Sequence, residues 1–165
     1  MYFQKPNYID LIHEQDGEGC TVMHYATKLG FVSCLKSLMQ FGGSISTLNN
    51  KSQSPLHFAA KYGRYNSSLQ ILSSPNSKNY TNEKEGEGNT PLHLAAQNGQ
   101  SKIVELLMQK GALIYKSFRT CSGNNPFHEA ALNSHVECMN IIYNADPTVL
   151  DSTNINGVCS YLNYH

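Results

Sequence analysis

No run of 18 consecutive apolar residues occurs in the 165-residue sequence, so no segment combines the length and apolarity of a membrane-spanning helix. No surplus of one charge occurs either, because 12 basic and 12 acidic side chains cancel. A general binder of nucleic acid or of anionic membranes needs an excess of Lys and Arg, so neither class is expected. Residues Met1 to Asp10 lack a basic stretch followed by an apolar one, and no secretory signal is visible. An even cysteine framework is also missing. Cys20, Cys34, Cys121, Cys138 and Cys159 are odd in number and irregular in spacing, which fits reduced thiols in a cytosolic setting better than disulfides. Charged residues are scarce at 15% while apolar ones reach 40%, so the chain is able to bury a core and is not a disordered polypeptide. Its length suits one domain or a short repeat array.

What is present is a repeat. Four segments align on a histidine: Thr21-Val22-Met23-His24-Tyr25-Ala26, Ser54-Pro55-Leu56-His57-Phe58-Ala59-Ala60, Thr90-Pro91-Leu92-His93-Leu94-Ala95-Ala96 and Asn125-Pro126-Phe127-His128-Glu129-Ala130-Ala131. The histidines are spaced by 33, 36 and 35 residues. Gly30, Gly63 and Gly99 each lie six residues beyond a histidine, and Ser134 takes that place in the fourth copy. This period and motif resemble the ankyrin repeat, and recurrence in register makes the signal specific. The expected fold is an all-α ankyrin-repeat solenoid of stacked helix-turn-helix units with projecting β-turn fingers.

Each residue type has a mechanical reason. Thr21, Ser54 and Thr90 are positioned to cap a helix by accepting from its orphan amides. Pro55, Pro91 and Pro126 stand at the first helical position, where a missing N–H costs nothing. The alanine pairs keep one helix face thin, and the glycines end the first helix in a left-handed conformation. A second helix follows in each copy, with apolar residues three and four apart, such as Ile103, Leu106 and Leu107. Cys34 and Cys138 share one repeat position with Ile103 and are expected in the core, whereas Cys20, Cys121 and Cys159 lie on or beside fingers. Polar stretches Leu48 to Gln53, Thr81 to Asn89 and Arg119 to Asn125 read as the fingers. The connection Ser73 to Asn82 accounts for the long spacing and is expected to be the most mobile region. Units are expected over 20–52, 53–88, 89–123 and 124–156, after a tail at 1–19 and before the start of a further unit at 157–165. Neither end supplies a clear polar outer face, so the chain is expected to be a piece of a longer array or the product of a truncated gene model.

The chemistry expected of the chain is non-catalytic. His24, His57, His93 and His128 recur once per unit, so they occupy successive layers instead of surrounding one metal, and their expected role is to brace turns. Gly86-Glu87-Gly88 is flanked by Glu83 and Glu85 and would repel phosphate. Neither a G-x-x-x-x-G-K-[ST] nor a G-x-S-x-G motif occurs. No enzyme, no cofactor and no metal site is expected.

Tyr62-Gly63-Arg64, Gly88-Asn89-Thr90-Pro91-Leu92-His93 and Gly111-Ala112-Leu113 give a more specific resemblance. In that order they are similar to the amino-terminal ankyrin array of the ankyrin-type transient receptor potential channels. The resemblance implies a parent protein that is a homotetrameric, calcium-permeable, non-selective cation channel of the plasma membrane, with this segment on its cytosolic face in the sensor region. The segment itself would insert into no membrane and bind no nucleic acid. The alternative is a soluble ankyrin scaffold or adaptor that binds a partner protein through its concave face. Glu129 and Ser134 depart from the repeat pattern and put the packing of the fourth unit in question. Ankyrin proteins bind partners with finger tips and exposed first-helix positions. Those positions here are Asn50, Lys51, Gln53, Lys61, Tyr62, Glu87, Asn89, Gln97, Asn98, Ser122, Asn124, Leu132 and Asn133.

Overall fold

Each histidine-centred segment opens a short α-helix, and a second helix follows after a turn. The computed structural model describes residues 11–75, 77–114 and 120–156. The pairs are α1 (Val22–Leu29) with α2 (Val32–Gln40), α3 (Pro55–Lys61) with α4 (Tyr65–Leu72), α5 (Pro91–Gln97) with α6 (Ser101–Gln109), and α7 (Pro126–Leu132) with α8 (Val136–Ala145). The first helices pack on one another in one row (α1, α3, α5, α7) and the second helices in another (α2, α4, α6, α8).

The helix starts follow from the sequence, with one change of mechanism. Thr21, Ser54, Thr90 and Asn125 hold extended backbone at the N-cap. At Thr21 and Ser54 the side chain faces the backbone of the third helical residue in a capping box. The hydroxyl also lies 3.0 and 2.9 Å from Nδ1 of His24 and His57. The backbone N–H groups of Thr21 and Ser54 donate to the same nitrogens at 3.1 Å. The imidazole thus fills the place of the acidic partner in a capping box. In the fourth unit the side-chain oxygen of Asn125 accepts from the His128 amide at 2.8 Å. The first helices end at Gly30, Gly63 and Gly99, whose φ angles are +78°, +70° and +68°. Ser134 holds +59° at the equivalent place, a conformation that costs a non-glycine residue about 1–2 kcal/mol.

A continuous apolar spine joins the pairs. Met23, Leu35, Leu56, Ile71, Leu92, Ile103, Leu107 and Ile142 are fully buried. Ala59, Ala60, Ala95, Ala96 and Ala130 are buried too, which lets neighbouring first helices approach closely. The fourth pair packs like the others, with Phe127, Ala131, Cys138 and Met139 inside. Cys34 is a correction, since it is exposed. The equivalent residues Ser67, Ile103 and Cys138 are covered. Cys34 belongs to the first described pair, and among the described residues no earlier pair covers its face.

The long connection after α4 is not an open loop. It contains a 3-10 turn, Ser77–Asn79, and buries Thr81, whose hydroxyl donates to the Ser77 carbonyl at 2.9 Å. Asn82 then reaches the third unit. Its amide donates to the Gly111 carbonyl at 3.2 Å, and its oxygen accepts from the Leu113 amide at 2.9 Å. A second 3-10 turn, Pro147–Asp151, closes on α8 and buries Val149. The expected start of a further unit at 157–165 lies outside the described residues.

Candidate protein-interaction surface

The fingers are shaped by one side chain each. Asp16, Asn49 and Glu85 accept, through a single carboxylate or amide oxygen, the backbone N–H groups two and four residues ahead, at 2.9 to 3.2 Å. In the fourth finger the Thr120 hydroxyl accepts from the Asn124 amide at 3.2 Å. Four residue types do one job, which is why no motif revealed it. Successive finger tips are then tied by backbone bonds: Asn50 to the Glu18 carbonyl at 3.0 Å, Gly86 to Lys51 and Cys121 to Glu87 at 2.9 Å, and Ile155 to Ser122 at 3.4 Å.

The histidines supply the second tie. Nδ1 of His24 and His57 accepts from backbone N–H, so the ring proton sits on Nε2 and is donated forward. His24 donates to the Gln53 carbonyl at 3.0 Å, and His57 to the Glu83 carbonyl at 3.1 Å. Nε2 of His93 lies 3.2 Å from the Asn124 carbonyl oxygen. Burial drives the pKa of His24 below its ordinary value and that of His57 down to about 4. At the opposite end of the units, Nε of Arg64 donates to the Lys28 carbonyl at 2.8 Å. Nε2 of His135 lies 3.1 Å from the Gln97 carbonyl oxygen. No grouping of three or more His, Cys, Asp or Glu able to hold a metal occurs among the described residues.

The expected contact residues divide into two sets. Lys51, Glu87, Ser122, Leu132 and Asn133 are exposed, as are Asn50, Lys61, Tyr62 and Asn98, while Gln53 and Gln97 are half-buried. Nζ of Lys28 and of Lys61 lie 5.3 and 5.8 Å from the centre of the Tyr62 ring, so this first-helix face is cationic and aromatic. Asn50, Asn98 and Asn133 each spend their amide on a nearby carbonyl. Asn89 and Asn124 are corrections, since each is only 6% exposed. Asn89 donates to Glu85 at 2.7 Å and Asn124 donates to Glu129 at 2.9 Å, so both stiffen their fingers from within. Cys20 is also buried, against the expectation for a finger residue, and Cys121 is exposed. Cys159 lies outside the described residues.

Sequence reasoning missed the role of Glu129. It follows the histidine, where Tyr25, Phe58 and Leu94 stand in the other units. The structure buries it at 6% exposure without disturbing the helix. One carboxylate oxygen accepts from the Asn124 amide at 2.9 Å, and the other from the Gln97 amide at 3.3 Å. In the first unit, the Tyr25 hydroxyl donates to the Asp16 carboxylate, which pushes the phenol up to about 12 and holds the carboxyl below its usual range.

A model of ankyrin repeats in three copies matches residues 4–82 and 66–151. The human transient receptor potential cation channel subfamily A member 1 is 41% identical over 112 residues, covering 68% of this chain and 10% of that protein. The Drosophila melanogaster protein of the same name is 37% identical over 106 residues, covering 64% of this chain and 9% of that one. The human ankyrin repeat and SOCS box protein 3 is 32% identical over 99 residues, covering 60% of this chain and 19% of that protein. The chain thus spans about a tenth of the length of the channel proteins it matches.

Proposed function

Since the chain belongs to the ankyrin-repeat family, we propose that it is a non-catalytic interaction segment from the cytosolic sensor region of a transient receptor potential-type channel. The parent would be a homotetrameric, calcium-permeable, non-selective cation channel of the plasma membrane. The observation that carries this reading is the identity gap. The human and Drosophila melanogaster channel proteins match at 41% and 37%, against 32% for the human ankyrin repeat and SOCS box protein 3 over a similar stretch. No helix among the described residues is long and apolar enough to cross a membrane, so conduction would belong to other parts of the parent.

In this role the segment would transmit contacts through its stacked units. The face available to a protein partner or to neighbouring repeats comprises Asn50, Lys51, Gln53, Lys61, Tyr62, Glu87, Gln97, Asn98, Ser122, Leu132 and Asn133. Asn89 and Asn124 drop out because they are buried inside the fingers. Full-length transcript sequencing tests the channel reading. A downstream pore domain with six membrane helices is expected, and a reading frame that closes on repeats or on another soluble domain would refute it. The similarity to the SOCS box protein supports a second reading, a soluble scaffold that binds through the same concave face. The same sequencing separates the two.

A further inference from the structure

We infer that the cavity beside Glu129 is a receptor for an arginine side chain presented by a partner polypeptide. The cavity measures about 380 Å³ and lies between the third and fourth fingers and their first helices, with Glu87, Gln97, Cys121 and Glu129 in its walls. This is near the lower end of ligand-pocket volumes, which suits one side chain better than a cofactor. The inference deepens the concave-face reading above and does not depend on the channel reading.

Three observations converge on a cation. First, the Glu129 carboxylate is withdrawn from water but has no cationic partner among the described residues, only the two amides of Asn124 and Gln97. A carboxylate oxygen has two acceptor positions, so two of four remain available. Removing a carboxylate from water is costly unless a positive charge compensates, so an incoming cation gains more here than at the surface. Second, Glu87 stands exposed in the same wall and adds a second negative charge. Third, among the described units the site occurs once, because Tyr25, Phe58 and Leu94 occupy the equivalent position in the other three.

Guanidinium fits this site better than ammonium. It is more weakly hydrated, and its fixed fork of donors matches a carboxylate already flanked by planar amides. The rest of the groove favours a polypeptide as the carrier. Toward the first and second units, Lys28 and Lys61 lie near the Tyr62 ring and present positive charge, opposite in sign to Glu87 and Glu129. A segment with arginine at one end and an acidic residue at the other would be held in one orientation.

The test uses the full chain, 15N-labelled, titrated with acetyl-Gly-Arg-Gly-amide, acetyl-Gly-Lys-Gly-amide and acetyl-Gly-Gln-Gly-amide. The arginine peptide should shift the side-chain amide signals of Asn124 and Gln97 saturably. The lysine peptide should bind several-fold more weakly, and the glutamine peptide should shift nothing. Glu129→Gln should weaken the arginine peptide at least ten-fold while leaving the thermal midpoint near that of the parent chain. If Glu129→Gln folds poorly, Glu87→Gln serves in its place, with a loss of about three-fold that fades at high salt. Equal shifts with the arginine and glutamine peptides would overturn the inference, as would undiminished binding to both variants. Shifts confined to Lys61 and Tyr62 would overturn it too, while leaving the concave face as a binding surface.

Discussion

Acid should loosen the stack through His57. Its side chain is fully buried between its own cap and the next finger. Nδ1 accepts from the Ser54 amide and Nε2 donates to the Glu83 carbonyl, both at 3.1 Å. A second ring proton would turn that acceptor into a donor facing another donor. Burial therefore lowers the pKa from 6.5 to about 4. Above pH 6.5 the ring is neutral in both folded and unfolded chains, and the stack keeps its full stability. Between pH 6.5 and about 4 the unfolded chain binds a proton that the folded chain refuses, so stability falls as the pH falls. The gap corresponds to roughly 3 kcal/mol once the pH is below both values. His24 is lowered by burial as well and adds in the same direction. Urea denaturation at pH 7.5, 6.5, 5.5 and 4.5 should show a falling midpoint with little change in slope. His57→Gln should flatten this dependence while lowering stability at pH 7.5. Ring-nitrogen NMR gives the direct check. A folded-state titration of His57 near 6.5, with the Glu83 bond intact, would refute the reasoning.

Three further outcomes are expected. The Ser67 and Ser68 hydroxyls are buried without partners where α6 carries Ile103 and Val104, so Ser67→Ala and Ser68→Ala should each stabilise by about 1 kcal/mol; a lowered thermal midpoint would contradict this. Gly99→Ala would place a Cβ 2.7 Å from Nδ1 of His135 at a φ of +68°, and should cost about 2 kcal/mol or more in chemical denaturation. Brief alkylation of the native chain, read by peptide mass spectrometry, should label Cys34 and Cys121 and spare Cys20 and Cys138. Burial pushes the Cys138 thiol up to about 11, so the protection should persist at pH 8.

The architecture was legible because its rules are local. A capping residue, a proline at the first helical position, a histidine at the third and a glycine past the end each act within one turn, and they recur in step. Three things were less legible, and each depends on a neighbour in space. Asn89 and Asn124 look like finger-tip polar residues, yet Glu85 and Glu129 draw their amides inward. Cys34 and Cys138 share a repeat position, but among the described residues only Cys138 has a preceding helix pair beside it. Glu129 looked like a defect in an apolar register. Two amides, one from its own unit and one from the unit before, make it a buried polar centre. Ser134 needed no such rescue, because its left-handed turn is merely dearer for serine than for glycine.

The paired ties between units run in opposite senses. Each of His24 and His57 donates a ring N–H hydrogen bond to a carbonyl of the following unit, and each following finger donates a backbone N–H hydrogen bond back. A break at either junction therefore strands a donor on both severed faces, at a cost of about 1–3 kcal/mol for each one that water does not reach. Units built this way resist peeling one by one. The array should come apart in a single concerted step, and a pull on one end should be felt as tension along its whole length.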